Sequence, residues 1–413
     1  MSPTTRQICF VNAAHFYTHY GLLVLATAVL ALTQQDAARF GGEYGPVLAL
    51  GTAMFVVYGL GALPMGHLAA RWGRKALMAA FFLGAGAAMA LAGLAQGPLS
   101  LALALAGFGA FAAIYHPIGT AIIAEAGGER VGRAIGINGV FGNLGVASAP
   151  VATALLAATL GWRWAFLLPG AAFFLLGLLY LREPEFDAVK AGGGARPFPE
   201  IPRAVVRRAV LILMAIAAVS GLVFNAFTLL LPKLMEERLA SSPDLLPVVG
   251  ALAFLATICG GLTQFTVGRL IDRHTLKSVF MPLACVLVPA LLALSFLDGW
   301  AVLPVSALVA AAIFGQVTVN ETMTARYVAP ALRAKLYSVR FTVGFMGAAL
   351  ASPLIGWLHG ATGSMAVAML VLAGVAAVTL GCALLFPNRP EELRPELWAR
   401  APEAAPPGAQ PAE

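Results

Sequence analysis

Charge is scarce in this sequence. Asp, Glu, Lys and Arg make up 11% of its 413 residues, where soluble domains carry about 25%, while 60% of the chain is hydrophobic and the mean hydropathy is +0.85. A water-soluble fold with so little charge would expose large apolar patches, which soluble monomers avoid; a surface facing lipid removes the conflict. Cysteine is scarce too. Cys9, Cys259, Cys285 and Cys382 lie in apolar stretches without metal-type spacing, so they read as small hydrophobes in helix packing. There is no Gly-Lys-Ser/Thr phosphate cradle and no nucleophile–base pair. Direct use of ATP and enzyme chemistry are therefore unsupported, no bound cofactor is expected, and any work must draw on an ion gradient.

What is present is apolar and long. The hydrophobic residues come in runs rather than alternating ten-residue segments, which excludes an outer-membrane barrel and leaves helices as the spanning structure. At about 20 residues per crossing, the runs divide into segments near 8–32, 46–70, 75–95, 98–125, 132–159, 163–182, 206–234, 244–271, 277–297, 300–328, 334–359 and 364–387. The net charge of +7 sits between these runs, so it points to loops at a membrane surface and not to nucleic acid. With the N-terminus in the cytoplasm, 22 of the 26 Lys and Arg residues fall on that side, leaving Arg39, Arg163, Lys233 and Arg238 on the other. Twelve crossings with both ends cytoplasmic satisfy the positive-inside rule, as expected of a multi-pass protein of a bacterial-type inner membrane. Residues 183–205, with a glycine triplet and several prolines, read as a cytoplasmic linker. They separate a six-helix bundle over 1–182 from another over 206–388, and 389–413, rich in Pro, Ala and Glu, reads as a disordered cytoplasmic tail.

The two halves repeat at a shift of about 202 residues. Gly66-His67-Leu68-Ala69-Ala70-Arg71-Trp72-Gly73-Arg74-Lys75 follows the second segment, and Gly268-Arg269-Leu270-Ile271-Asp272-Arg273-His274-Thr275-Leu276-Lys277 follows the eighth. Gly142, Gly145 and Pro150 in the fifth segment are echoed by Gly344, Gly347 and Pro353 in the eleventh, a pattern that lets helices approach closely and loosens the backbone at proline. At these residues the chain resembles the major facilitator superfamily of secondary transporters, whose signature loop runs G-x-L-x-D-R-x-G-R-K. The resemblance implies an all-α fold of two pseudo-symmetric six-helix bundles around a central cavity, lined by the first, fourth, seventh and tenth helices. It also implies a cytoplasmic gate involving Arg71, Arg74, Asp272 and Arg273, with Asp272 approaching the start of the fifth helix near Gly132 and Arg133. Ala70 replaces the acid of the first copy, which removes the mirror contact. Simple positive-inside anchoring is the other reading of these basic residues. The fifth-segment motif resembles that of exporters that exchange substrate for protons. The run Gly109-Ala110-Phe111-Ala112-Ala113-Ile114-Tyr115-His116-Pro117-Ile118-Gly119 and Ala14-His15-Phe16 resemble the fosmidomycin-resistance-type branch.

Ionisable and polar side chains at bilayer depth are costly, so each is a candidate for function. Asn12, His15 and His19 share one helical face, and His116 precedes Pro117, where a kink frees backbone carbonyls. Asn225 interrupts the seventh segment, Gln316, Asn320 and Glu321 interrupt the tenth, and Arg340 lies early in the eleventh. His116 shifted by 203 residues lands at Val319 beside Asn320. Because Glu321 is rotated about 100° from Asn320, it faces inward less well and can pair with Arg340 instead. For the histidines three uses stand open: proton loading near ambient pH, orientation of a substrate or a structural hydrogen bond, and metal ligation, since His15 and His19 have the i, i+4 spacing of helical zinc ligands. No nearby Cys or carboxylate supports the third, so no metal centre is expected. The expected activity is proton-coupled movement of a small solute by a monomeric carrier in the lipid bilayer, export favoured. The rivals are an importer of a nutrient, organic anion or metal complex, and a membrane sensor that transports nothing.

Overall fold

The computed structural model describes residues 3–127, 131–184, 200–239 and 243–394. It is all helical in these residues: α1 (Pro3–Gln35), α2 (Ala37–Phe40), α3 (Tyr44–Ala49), α4 (Thr52–Gly61), α5 (Met65–Trp72), α6 (Arg74–Gly93), α7 (Pro98–Ala112), α8 (Tyr115–Gly127), α9 (Val131–Thr159), α10 (Trp164–Tyr180), α11 (Arg203–Leu239), α12 (Leu246–Ile271), α13 (Leu276–Phe296), α14 (Val302–Tyr327), α15 (Pro330–Thr362) and α16 (Ala366–Leu385). Eleven helical stretches among the described residues are long and apolar enough to cross a membrane. The expected sixth crossing, α10, is apolar but has 17 residues, because the turn at Gly161, with φ +97°, delays its start to Trp164.

Two expected crossings are interrupted. The second is divided among α3, α4 and α5, and the fourth between α7 and α8. The second interruption follows from Pro117, which has no N–H to give the carbonyl of Ala113 four residues back; the helix breaks at Ala113–Ile114 and restarts at Tyr115. In the first signature loop Gly73 adopts φ +82° between α5 and α6, a conformation that favours glycine. The second copy has Thr275 there in extended backbone, capping α13 by accepting from the Ser278 amide.

Small residues set the helix contacts. A Cβ on Gly145 would strike the backbone of Phe16, joining α9 to α1, and one on Gly347 would strike Gly221 and Leu222, joining α15 to α11. These equivalent contacts lie within each half. Between the halves, α9 packs on α12 and α3 and α4 pack on α15, two pairings that exchange under a shift of six crossings. Gly250 lies against Pro150 and Val151, and Asn143 donates to Gln264. Gly45 and Gly356 meet backbone to backbone, and Ser352 donates to the Leu48 carbonyl at 2.7 Å. Both interfaces are tight at the end of the bundle where α1 finishes. Toward the end carrying the chain termini, a Cβ at Gly66, Gly136, Gly139 or Gly268 meets open space.

The far end also carries charge. His359 pairs with Glu237 at 2.8 Å and packs its ring on Tyr44 of the other half, while Lys233 pairs with Glu236. At the other end Arg6 pairs with Glu183 at 2.9 Å and Gln7 donates to the Pro184 carbonyl, tying the start of the linker to α1. Residues 185–199 of the linker lie outside the described residues, and α11 already begins at Arg203. Within the tail expected from residue 389, Pro390–Leu393 forms a 3-10 turn, and Glu392 is buried, accepting from the Leu276 amide and the Tyr327 hydroxyl with Arg326 at 3.6 Å. Only the six residues Phe386-Pro387-Asn388-Arg389-Pro390-Glu391 separate this carboxylate from the end of α16, too short a spacing for the compositional signal of the tail to reveal it. Residues 395–413 lie outside the described residues.

Two outcomes test this packing. Gly356→Val forces α15 off α3 at a cost of about 1–3 kcal/mol, read as a lower melting temperature in detergent, whereas Gly360→Val, which meets open space, leaves it nearly unchanged. Burial holds the Glu392 carboxyl above its usual value, so the folded state binds this proton more tightly than the unfolded state. Docking of the turn is strongest below the ordinary carboxylate pKa and weakens as pH rises through the raised one. Protease cleavage after Phe386 increases as pH rises above the ordinary carboxylate pKa of about 4.3, and Glu392→Gln flattens that dependence.

Candidate functional site

The polar centre of the first half is built on Asn138, one turn before Gly142 on α9. Its amide donates to Asn12 Oδ1 on α1 at 2.9 Å, and its carbonyl side-chain oxygen accepts from the Tyr115 hydroxyl on α8 at 2.9 Å. All three residues are buried. This chain of bonds fixes three helices together where hydrocarbon offers no competing partner. The Asn138 main-chain oxygen lies 2.7 Å from His15 Nδ1. A carbonyl only accepts, so Nδ1 carries the hydrogen and Nε2 keeps its lone pair. Gly142 lies against that Nε2, where a Cβ would sit 2.5 Å from it.

His15, His19 and His116 converge there. Their ring centroids are 4.9, 5.4 and 5.5 Å apart, and one ligand nitrogen from each lies within 4.8 Å of the others. The three rings are half-buried. His116 Nε2 is fully covered and has no hydrogen-bond partner. Tyr115 stacks on His15 at 4.9 Å. From the other half, Phe341 stacks on His116 at 5.0 Å and Phe345 lies at 6.1 Å, itself packed on Tyr58. The cluster therefore belongs to one half and is lidded by α15 of the other.

The remaining expected residues divide among other places. Glu321 and Arg340 form an ion pair between α14 and α15, the guanidinium 10% exposed and the carboxylate 41%. Gln316 and Asn320 line a small cavity within the second half, between α11, α13 and α14, with Ser220 and Phe224; they do not join the histidines. Asn225 donates to the Gly221 carbonyl of its own helix at 2.7 Å, and Asn12 is used by Asn138. Arg71, Asp272 and Arg273 are exposed and form no ion pair among the described residues. The side chains of Gly132 and Arg133, the expected partners of Asp272, lie outside the described residues. Sequence reasoning missed Asn138, Tyr115, Phe341 and Phe345. Asn138 had a signal, an amide one turn from the glycine motif; the aromatic residues had none beyond position beside His116 and Arg340.

A profile of the Major Facilitator Superfamily matches residues 8–317 and again 246–409. The chain belongs to this superfamily. Its membership, with the multi-span helical fold, makes it a transporter fold and not an enzyme. The puromycin resistance protein pur8 of Streptomyces alboniger is 37% identical over 131 residues, covering 30% of this chain and 26% of that protein; the chain thus matches about a quarter of that relative's length. Among solved superfamily structures, a bacterial homologue of the human lysosomal transporter Spinster, inward-facing and occupied, has a TM-score of 0.68 at 16% identity over 94% of this chain and 95% of that one. A point mutant of the nucleoside transporter NupG has a TM-score of 0.70 at 14% identity over 92% and 100%. These likenesses are of fold.

Replacing Asn138 by Ala strands the Tyr115 hydroxyl and the Asn12 amide together, at about 1–3 kcal/mol per orphaned group. The expected result is a melting temperature several degrees lower than the parent, while Asn225→Ala, which removes one bond within a single helix, changes it little.

Proposed function

We propose that this superfamily member is a secondary active carrier that exports a small solute in exchange for protons, by alternating access between two six-helix bundles. The observation that carries the reading is the histidine cluster: three titratable rings at bilayer depth on one half, lidded by aromatic rings of the other. Histidine exchanges protons near ambient pH with little tuning, and a protonated His116 facing the Phe341 ring gains a cation–π attraction across the seam. Proton loading then favours bringing α15 against α8, and proton release favours letting them part, which is the differential interaction that a coupled transition requires.

Twelve crossings fit this reading. At 1.5 Å per residue the 17 residues of α10 extend about 25 Å, at the short end of what spans a bilayer. The bias of 22 Lys and Arg residues against four supports a cytoplasmic position, at a bacterial-type inner membrane, for both termini and for the end of the bundle that carries them. Arg71, Arg74, Asp272 and Arg273 would then meet when that end closes. Export is supported by the exporter-like motif at Gly142, Gly145 and Pro150, by the fosmidomycin-resistance-type run around His116, and by the partial likeness to a protein described as conferring puromycin resistance. Glu321 with Arg340, and Gln316 with Asn320, would serve as polar contacts of the second half.

Inverted membrane vesicles test the proposal, with puromycin as the first solute. An imposed gradient, acidic inside, drives puromycin inward in these vesicles and dissipates as it does so; His116→Gln abolishes the dependence on the gradient while the protein still inserts and melts as a folded species. Movement of solute with the protons instead of against them replaces export by import.

A further inference from the structure

We propose that His15, His19 and His116 form a binding site for a divalent late-transition-metal ion such as zinc, cobalt or nickel, and that this ion is a cargo of the carrier. The inference rests on the proton-exchange reading above and deepens it by naming the class of solute that competes with protons at the same nitrogens.

Four observations converge. One ligand nitrogen from each ring lies within 4.8 Å of the other two, and a tetrahedral ion with metal–nitrogen bonds of about 2.0–2.1 Å holds its ligands about 3.3 Å apart, a contraction within reach of small ring rotations. His15 is presented in the manner of a metal ligand: its Nδ1–H donates to the Asn138 carbonyl, which orients the ring and leaves Nε2 as the donor atom. That carbonyl stands on a helix held by the bonds to Asn12 and Tyr115, and the residue facing Nε2 is Gly142, whose missing side chain keeps the lone pair uncovered. His116 Nε2 is buried without a hydrogen-bond partner, a state that native structures rarely leave unexplained and that a bound ion satisfies.

The ligand set selects the ion. Imidazole nitrogen suits Zn, Cu, Ni and Fe, whereas Mg and Ca demand oxygen. The group contains no carboxylate or thiolate, so the ion keeps its net charge and at least one open position for water or an anion that travels with it. Three ligands with an open fourth position suit a cargo that must leave, unlike the closed four-ligand sites of structural zinc. Metal binding needs neutral rings, so an incoming ion expels any proton held there. One site that holds protons or metal, but not both, is sufficient for exchange.

The test uses the full chain, purified in detergent with any affinity tag removed. Zn2+ measured by equilibrium dialysis binds saturably at a single ion per chain, and Co2+ at the same site shows the intense visible absorption of tetrahedral coordination. His15→Gln and His116→Gln each lower the affinity about 10- to 100-fold, while His67→Gln and His274→Gln, at histidines remote from the cluster, leave it unchanged. Melting curves establish that each variant is folded. The inference is overturned when the parent binds no more Zn2+ than a folded variant lacking all three histidines, or when binding follows His67 or His274. If puromycin flux depends on the gradient and on His116 but Zn2+ does not bind, this inference fails and the proton-coupled reading stands. If Zn2+ binds at the cluster and the vesicles show no gradient-driven flux, the site stands and that reading fails.

Discussion

Hydrocarbon supplies no hydrogen bonds, and every polar side chain that enters the bundle must find its partner inside it. Asn138 meets that demand for three helices at once, bonding α1 through Asn12, α8 through Tyr115 and, by its backbone, His15. The rest of the site depends on this arrangement. It sets the tautomer of His15 and turns the restarted α8 so that His116 faces α1, with His116 Nε2 and the nearby Tyr58 hydroxyl buried without a hydrogen-bond partner. The contacts that the second half makes with the same centre are of another kind. Phe341 and Phe345 offer ring faces, which slide and separate without orphaning a donor or acceptor. Directional bonds therefore hold the first half together around Asn138, whereas the rings of Phe341 and Phe345 cover the histidines through non-directional contacts.

The internal duplication shows how one packing device serves two purposes. Gly142 and Gly145 allow α1 to approach α9, and Gly344 and Gly347 stand at the equivalent place between α11 and α15. In the first half the approaching helix brings His15 and Phe16; in the second it brings Gly221 and Leu222. The geometry is shared, but the chemistry was placed on one side. By pseudo-symmetry the counterpart of His116 falls beside Asn320, and the structure puts that residue in a separate small cavity of its own half.

Much of the fold was legible because membrane burial writes itself in runs of apolar residues, and the duplicated loops and glycine motifs gave the halves their correspondence. The convergence of His15 and His19 on one face followed from helical spacing. What spacing does not encode is which neighbour each face meets. Asn12 and Asn225 carry the same composition signal as a cavity residue, yet one is consumed by Asn138 and the other by the carbonyl of its own helix. Pro117 announced a disruption, but its effect falls at the carbonyl acceptor four residues earlier, which displaces the break to Ala113–Ile114. Glu392 lay in a stretch whose composition predicts disorder, because a single carboxylate that caps the start of α13 and meets Tyr327 leaves no pattern in the sequence.

One helix gathers these separate facts. Along α15, Arg340 pairs with Glu321 on α14, Phe341 covers His116 on α8, Phe345 packs on Tyr58 of α4, Gly347 seats on α11, and Ser352 and Gly356 close on α3 before His359 reaches Glu237 of α11 and the ring of Tyr44. Arg340 and Phe341 are adjacent in sequence and about 100° apart around the axis, so a small rotation or tilt of this one rod changes the charge pair of the second half and the cover over the histidines of the first together. The tight glycine contacts at its far end act as the fulcrum, since backbones in contact can roll where interlocked side chains could not. On the cation-binding readings proposed above, a cation among the three imidazoles would alter what the Phe341 face is attracted to, and α15 would carry that change to the other half.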